Sequence, residues 1–225
     1  MGYAGITIPE GNVVKITAGG VVIWEKVTGR IPKEYQEVEY IYIPNTAYIN
    51  TGWIPTESSL FNITLSSNTS KYPYMFGAGS NPRLAGYFTF GGSSQIYNTS
   101  NSSTGVYECT INSNEICEIE TYSTNLSTES YTIINGQKYT KNATQGTSFD
   151  TSSPMLLGAW QYNATTIRQG EINLYYAKAS DNGVPKFEMI PCYRKADGVI
   201  GMYDLVSKTL FTNAGSGSFT KGADV

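Results

Sequence analysis

The feature that most constrains this chain is its punctuation. Short β-prone runs recur roughly every 8 to 15 residues between clusters of Gly, Asn, Asp, Ser and Pro. The runs are Val38 to Ile43, Leu60 to Ser66, Tyr74 to Ala78, Tyr87 to Phe90, Ile116 to Tyr122, Tyr131 to Ile134, Pro154 to Ala159, Gly170 to Ala177, Lys186 to Cys192 and Ile200 to Leu205. No helical periodicity intervenes. Regular strand spacing of this kind predicts an all-β sandwich or barrel. Asn135-Gly136, between Tyr-Thr-Ile-Ile and Gln-Lys-Tyr-Thr, is the clearest hairpin turn, because both residues tolerate positive φ. The Ser/Asn/Thr-rich stretch from Gly91 to Gly105 is expected to be an exposed loop.

Composition agrees. Only 15% of the 225 residues are charged, while Tyr (18) and Gly (23) are plentiful. Aromatic and β-branched side chains suit a half-buried pleated surface, whereas Gly and β-branched residues are weak helix formers. A chain of this length buries a core that needs no covalent staples.

The first 28 residues read as a separate unit. Asn12-Val-Val-Lys-Ile-Thr, then Ala18-Gly-Gly, then Val21-Val-Ile-Trp-Glu-Lys predicts a β-hairpin. Alternation places Val14 and Ile16 on one face, and Val22 and Trp24 on one face of the return strand. Two strands alone are marginal in water, so these four side chains require a partner surface. They are the candidate anchoring residues. Thr28 to Pro32 breaks the pattern and reads as a linker, with the sandwich spanning 29–225.

Several chemistries are excluded or disfavoured. The chain contains no histidine, which removes Ser-His-Asp and Cys-His constellations and His-ligated metals. Net charge is −3 with no basic run, against a nucleic-acid partner. No apolar run approaches the roughly 20 residues of a membrane span. The opening MGYAGITIPEGN lacks the features of a secretory signal, so synthesis in the cytoplasm is expected. Asn-x-Ser/Thr sequons at Asn62, Asn68, Asn98, Asn101, Asn125, Asn142 and Asn163 are then products of a Ser/Thr/Asn-rich composition. Three cysteines, Cys109, Cys117 and Cys192, make no disulfide framework, and the alternation of Glu115-Ile-Cys-Glu-Ile-Glu buries Cys117 beside Ile119. Asp150, Asp181, Asp197 and Asp204 are scattered, so neither a calcium site nor any other cofactor is expected. Asp204 is expected to bond the backbone of the Val206-Ser207-Lys208 turn.

Two candidate sites remain. Glu118 and Glu120 share a strand face near Glu115, the minimum for a glycosidase carboxylate pair, but no Asp stands between them, and we read them as a solvated face. Sugar binding uses aromatic faces with a few polar groups. Tyr72, Tyr74 and Arg83, with Trp160 and Tyr162, supply that combination near strand ends. Trp53 and Trp24 are assigned to packing.

Residues 31–56, IPKEYQEVEYIYIPNTAYINTGWIPT, and 187–222, FEMIPCYRKADGVIGMYDLVSKTLFTNAGSGSFTKG, carry a family resemblance. They resemble the opening and closing segments of concanavalin A-like (laminin-G-type) jelly-roll proteins of phages and prophages of Gram-positive gut bacteria. FGAG at 76–79 and LLGAW at 156–160 stand where such domains carry core strands, and VVKITAGGVVIWEK is similar to leader hairpins of phage structural proteins. The central region departs from the group's pattern. The resemblance implies a concanavalin A-like jelly-roll β-sandwich behind an anchoring hairpin. It implies a non-enzymatic virion surface protein, a homo-oligomer held to other virion proteins and capable of weak attachment to host-surface glycans. The rivals are a glycan-cleaving sandwich and a carbohydrate-binding module of a bacterial surface protein.

Overall fold

The structure is a computed structural model, and it describes residues 15–18, 21–25, 30–67, 74–79, 83–87, 94–99, 106–109, 114–122, 131–140, 153–161 and 165–225. Among these no helix occurs. Lys15–Ala18 and Val21–Glu25 pair antiparallel as a two-stranded sheet, with Ile16 opposite Trp24 and Ala18 opposite Val21. The predicted hairpin is therefore present, while Val14 lies outside the described residues, as do the side chains of Ile16, Val22 and Trp24.

The rest forms two sheets. The larger, 11-stranded among the described residues, runs Gln137–Thr140, Tyr131–Ile134, Cys117–Tyr122, Ser59–Ser66, Ile172–Asp181, Val184–Arg194, Ile200–Asp204, Thr209–Phe211. Ile41–Ile43 also pairs Ile172–Asp181, and Tyr35–Glu37 pairs Val184–Arg194. The smaller, 8-stranded, runs Val106–Cys109, Ser94–Thr99, Arg83–Tyr87, Tyr74–Ala78, Leu156–Leu157, Ile49–Asn50, with Ala159–Gln161 and Ile167–Gln169 beside it.

Period-two alternation sets which face each strand buries. Phe61, Ile63 and Leu65, then Cys117 and Ile119, then Ala177 and Ala179, then Phe187 and Met189 all enter one core. Phe61 lies at its centre. Its ring sits 5.0 Å from Phe76 of the opposite sheet, 6.1 Å from Trp53 and 6.3 Å from Phe187. Trp53 packs as expected, and its indole N–H also donates to Asp181 Oδ2 at 3.1 Å.

The closing residues of the sandwich pair with its opening strands. Thr220–Lys221 pairs Ile41–Ile43, Val38 bridges to Asp224, and Val225 N donates to Glu37 O. Tyr35–Glu37 and Ile41–Ile43 of the opening segment thus share one sheet with the closing strands. Asp204 behaves as expected of a turn organiser. It is 1% exposed, and its carboxylate accepts from the backbone N–H of Val206, Ser207 and Glu188.

Three strand expectations need correction. Gly91 to Gly105 holds the strand Ser94–Thr99, paired on both sides, with Ile96 fully buried. Its residues are mostly polar and uncharged, so backbone pairing rather than hydrophobic patterning defines it. The run Tyr87 to Phe90 overlaps the strand Arg83–Tyr87 at Tyr87, and 88–90 lie outside the described residues. Pro154 to Ala159 is divided at Gly158, whose φ of +81° breaks the ladder, and Val38 to Ile43 divides around Glu39.

Candidate functional site

Antiparallel register brings distant residues into rows across the outer face of the larger sheet. Glu120 stands opposite Asn62 on one side and Ile133 on the other. Asn62 in turn stands opposite Lys178, and Lys178 opposite Glu188. One step along the strands, Glu118, Thr64 and Tyr176 form a second row. A bulge between Leu174 and Tyr176 makes that row: the extra residue shifts the register so that Leu174 opposes Leu65 and Tyr176 opposes Thr64. Tyr122, Leu60 and Ser180 make a third row, with Tyr131 at its end. Neighbouring positions in a row lie about 4.8 Å apart, and successive rows about 6.5–7 Å apart.

These rows enclose a groove of about 580 Å³ lined by Leu60, Asn62, Thr64, Glu118, Glu120, Ile133, Tyr176 and Lys178 among others. Its polar groups differ in how far they are committed. Glu188 accepts from the Tyr176 hydroxyl at 3.0 Å and meets Lys178 Nζ at 3.3 Å, so it is neutralised. Glu120 accepts from the Tyr131 hydroxyl at 3.0 Å. Among the described residues, the side chains of Asn62, Thr64 and Glu118 have no partner and present free donors and acceptors. Burial, with the adjoining carboxylates, pushes Tyr131 and Tyr176 up to about 12, so both stay neutral hydrogen-bond donors at ordinary pH. Tyr122 and Tyr131 rings lie 5.6 Å apart at the groove's edge, with Lys138 Nζ 4.3 Å above Tyr131.

The arrangement suits a ligand carrying many hydroxyls. Carboxylate and amide groups bond to hydroxyl groups, while Leu60, Ile133 and the tyrosine rings offer apolar surface to C–H faces. Glu118 and Glu120 do share a face, as expected, and Cys117 and Ile119 are buried on the opposite one. The sequence reading missed Asn62, Thr64, Tyr176 and Lys178. The available signal was the outward half of each alternating strand, which acquires meaning only once the register is known.

Of the tyrosine–tryptophan site, the structure describes Trp160 and Tyr74, and it corrects the reading of Trp160. Trp160 is only 3% exposed, and its indole N–H donates to Gly79 O at 2.6 Å. It lies directly on Gly77, where a Cβ would come within 2.4 Å of the indole. Tyr74 packs 5.5 Å from its ring, and the Arg168 guanidinium covers it at 5.4 Å while donating to the Tyr74 hydroxyl at 2.8 Å. Trp160 is therefore a packing residue, because a ring so covered cannot stack on a sugar. Tyr72 and Tyr162 lie outside the described residues, as does the side chain of Arg83. Among the described residues, no three Cys, Asp or Glu side chains gather in a way that could hold a metal.

No protein-family model matches the chain, and no curated protein does. Solved structures do. A native heptameric SAP-like pentraxin from Limulus polyphemus matches with a TM-score of 0.53 and 12% identity, over 84% of this chain and 95% of that one. Domains LG4-5 of the mouse laminin alpha1 chain match with a TM-score of 0.41 and 9% identity, over 80% of this chain and 48% of that one, so this chain spans about half of that fragment. At these identities the likeness concerns fold. The protein is a concanavalin A-like jelly-roll β-sandwich.

Proposed function

We propose that the chain is a non-enzymatic glycan-binding sandwich displayed on a bacteriophage particle, with the groove across its larger sheet as the binding surface. The groove carries the reading. Unengaged Asn62, Thr64 and Glu118 lie beside tyrosine edges over a length that suits several sugar residues rather than one. Binding without cleavage is favoured by the carboxylates themselves. A general acid needs a fixed, enclosed position beside the bond it protonates, yet Glu118 is exposed and unpartnered among the described residues, and Glu120 is engaged by Tyr131. The virion assignment rests on the resemblance of residues 31–56 and 187–222 to phage jelly rolls and on the N-terminal hairpin. A strand pair of that kind has unpaired edges suited to adding onto a neighbouring subunit, and a homo-oligomer would multiply weak sugar contacts through avidity.

The test is a bacterial-glycan array probed with the intact protein and with Asn62→Ala and Glu118→Gln. Selective binding that drops about tenfold in either variant, with no reducing ends released from bound glycans, is the expected result. An array with no selective signal removes the reading, and turnover abolished by Glu118→Gln replaces it with a glycosidase.

A further inference from the structure

A second cavity lies at the rim, away from the groove. It has a volume of about 180 Å³ and sits between residues 45–48, the strand Ile167–Gln169 and the loop at Gly215–Ser216. That is several times the ~30 Å³ share of one water, and well short of the ~300 Å³ at which drug-sized sites begin. It suits one six-membered ring. Buried Ala47 and Ala159 line it with apolar surface, and Tyr48 and Ile167, the latter 40% exposed, add more. Asn45, Gln169 and Ser216 supply polar side chains, and no charged residue lines the cavity among the described residues.

The walls are fixed in advance. Asn213 accepts from Tyr48 N at 3.1 Å and Gly215 N at 2.8 Å, and donates to Gly215 O and Gly217 O at 3.1 and 2.6 Å. One side chain thus uses its whole hydrogen-bonding capacity to hold the loop against residue 48. Ser216 N and Gly217 N both donate to Thr46 O, and Ala214 N to Tyr48 O. Gly215 lies so close that a Cβ there would approach Thr46 O to 2.4 Å. While these backbone groups are bonded, the side chains of Asn45, Gln169 and Ser216 have no partner among the described residues. The Asn-Ala-Gly-Ser-Gly motif therefore shapes a rigid cavity with uncommitted polar groups, the pre-organised condition that small-ligand recognition favours.

We infer that this cavity binds a single uncharged pyranose ring, with Tyr48 and Ile167 against its C–H face and Asn45, Gln169 and Ser216 bonded to its hydroxyls. The absence of charge on its walls selects neutral sugars over uronic or sialic acids, whose carboxylates would be desolvated without a counter-charge. The site is independent of the groove and stands or falls separately.

The test is a two-dimensional amide NMR titration of the full chain with methyl glucoside, methyl galactoside, methyl mannoside, N-acetylglucosamine and glucuronic acid. At least one neutral sugar should give saturable shifts at Asn45, Tyr48, Gly215 and Ser216, with affinity in the millimolar range typical of so few contacts. Gln169→Ala should weaken it about three- to tenfold, as expected for one lost hydrogen bond. Ser216→Trp, which fills the cavity from an exposed position, should abolish it, and the amides of 118–120 and 176–178 should stay unperturbed. Absence of saturable shifts with every neutral sugar overturns the inference. So does equal or tighter binding of glucuronic acid at these amides, indifference to Gln169→Ala, or a footprint at 118–120 and 176–178 instead, which would place the sugar in the groove.

Discussion

The Tyr131 hydroxyl donates to Glu120 Oε1 at 3.0 Å, so the two groove carboxylates are not equivalent. Glu120 meets a ligand with one lone pair already used and its position fixed, whereas Glu118 meets it free. Asn62→Ala and Glu118→Gln should therefore weaken glycan binding more than Tyr131→Phe does. Because these side chains support no packing, Asn62→Ala and Glu118→Gln should each change unfolding stability by less than about 0.5 kcal/mol in denaturant titrations.

The same tyrosines set an alkaline limit. Tyr131 and Tyr176 stand near 12 in the folded chain, raised first by burial and then by Glu120 and Glu188, against an ordinary value of 10.0. Ionisation is thus easier in the unfolded chain. The stability they contribute is whole below about pH 10 and is lost as pH rises toward 12. Urea unfolding across that window should show a falling midpoint, with a shallower fall in the Tyr131→Phe, Tyr176→Phe double variant.

Trp160→Ala should cost about 3–5 kcal/mol, as large aromatic truncations in a packed environment do. It leaves the Gly77 surface bare and Gly79 O without its donor. Chemical denaturation at neutral pH measures this directly. A variant as stable as the parent would mean that the indole is not held as described.

Asp204→Ala should cost about 2–4 kcal/mol, because it strands backbone donors from Val206, Ser207 and Glu188 at a fully enclosed position. Asp204→Asn should recover part of the loss, since an amide oxygen still accepts while its nitrogen cannot. Comparing the two unfolding midpoints checks the assignment.

Much of the fold was legible in the residues, and the reasons are local. Asn135-Gly136 adopts φ values of +48° and +80°, as an Asn-Gly hairpin should, and Asp204 bonds the turn that follows it. Alternation correctly buried Cys117 and Ile119. What was not legible depends on register. Asn62 and Lys178 become neighbours only through the pairing of Ser59–Ser66 with Ile172–Asp181, and the Leu174–Tyr176 bulge that sets Tyr176 beside Thr64 has no sequence mark of its own. Trp160 misled for a related reason. An aromatic near a strand end looks available until Arg168 and Tyr74, from other strands, are found over its ring.

The central claim is that the outer face of the larger sheet binds glycan. It is tested most directly by titrating an array-selected oligosaccharide into isotope-labelled protein and mapping the perturbed amides. The account predicts a contiguous footprint over 62–64, 118–120, 133–136 and 176–178, lost in the Asn62→Ala, Glu118→Gln double variant. A footprint centred instead on Tyr74, Trp160 and Arg168, or one that survives in the double variant, would contradict it.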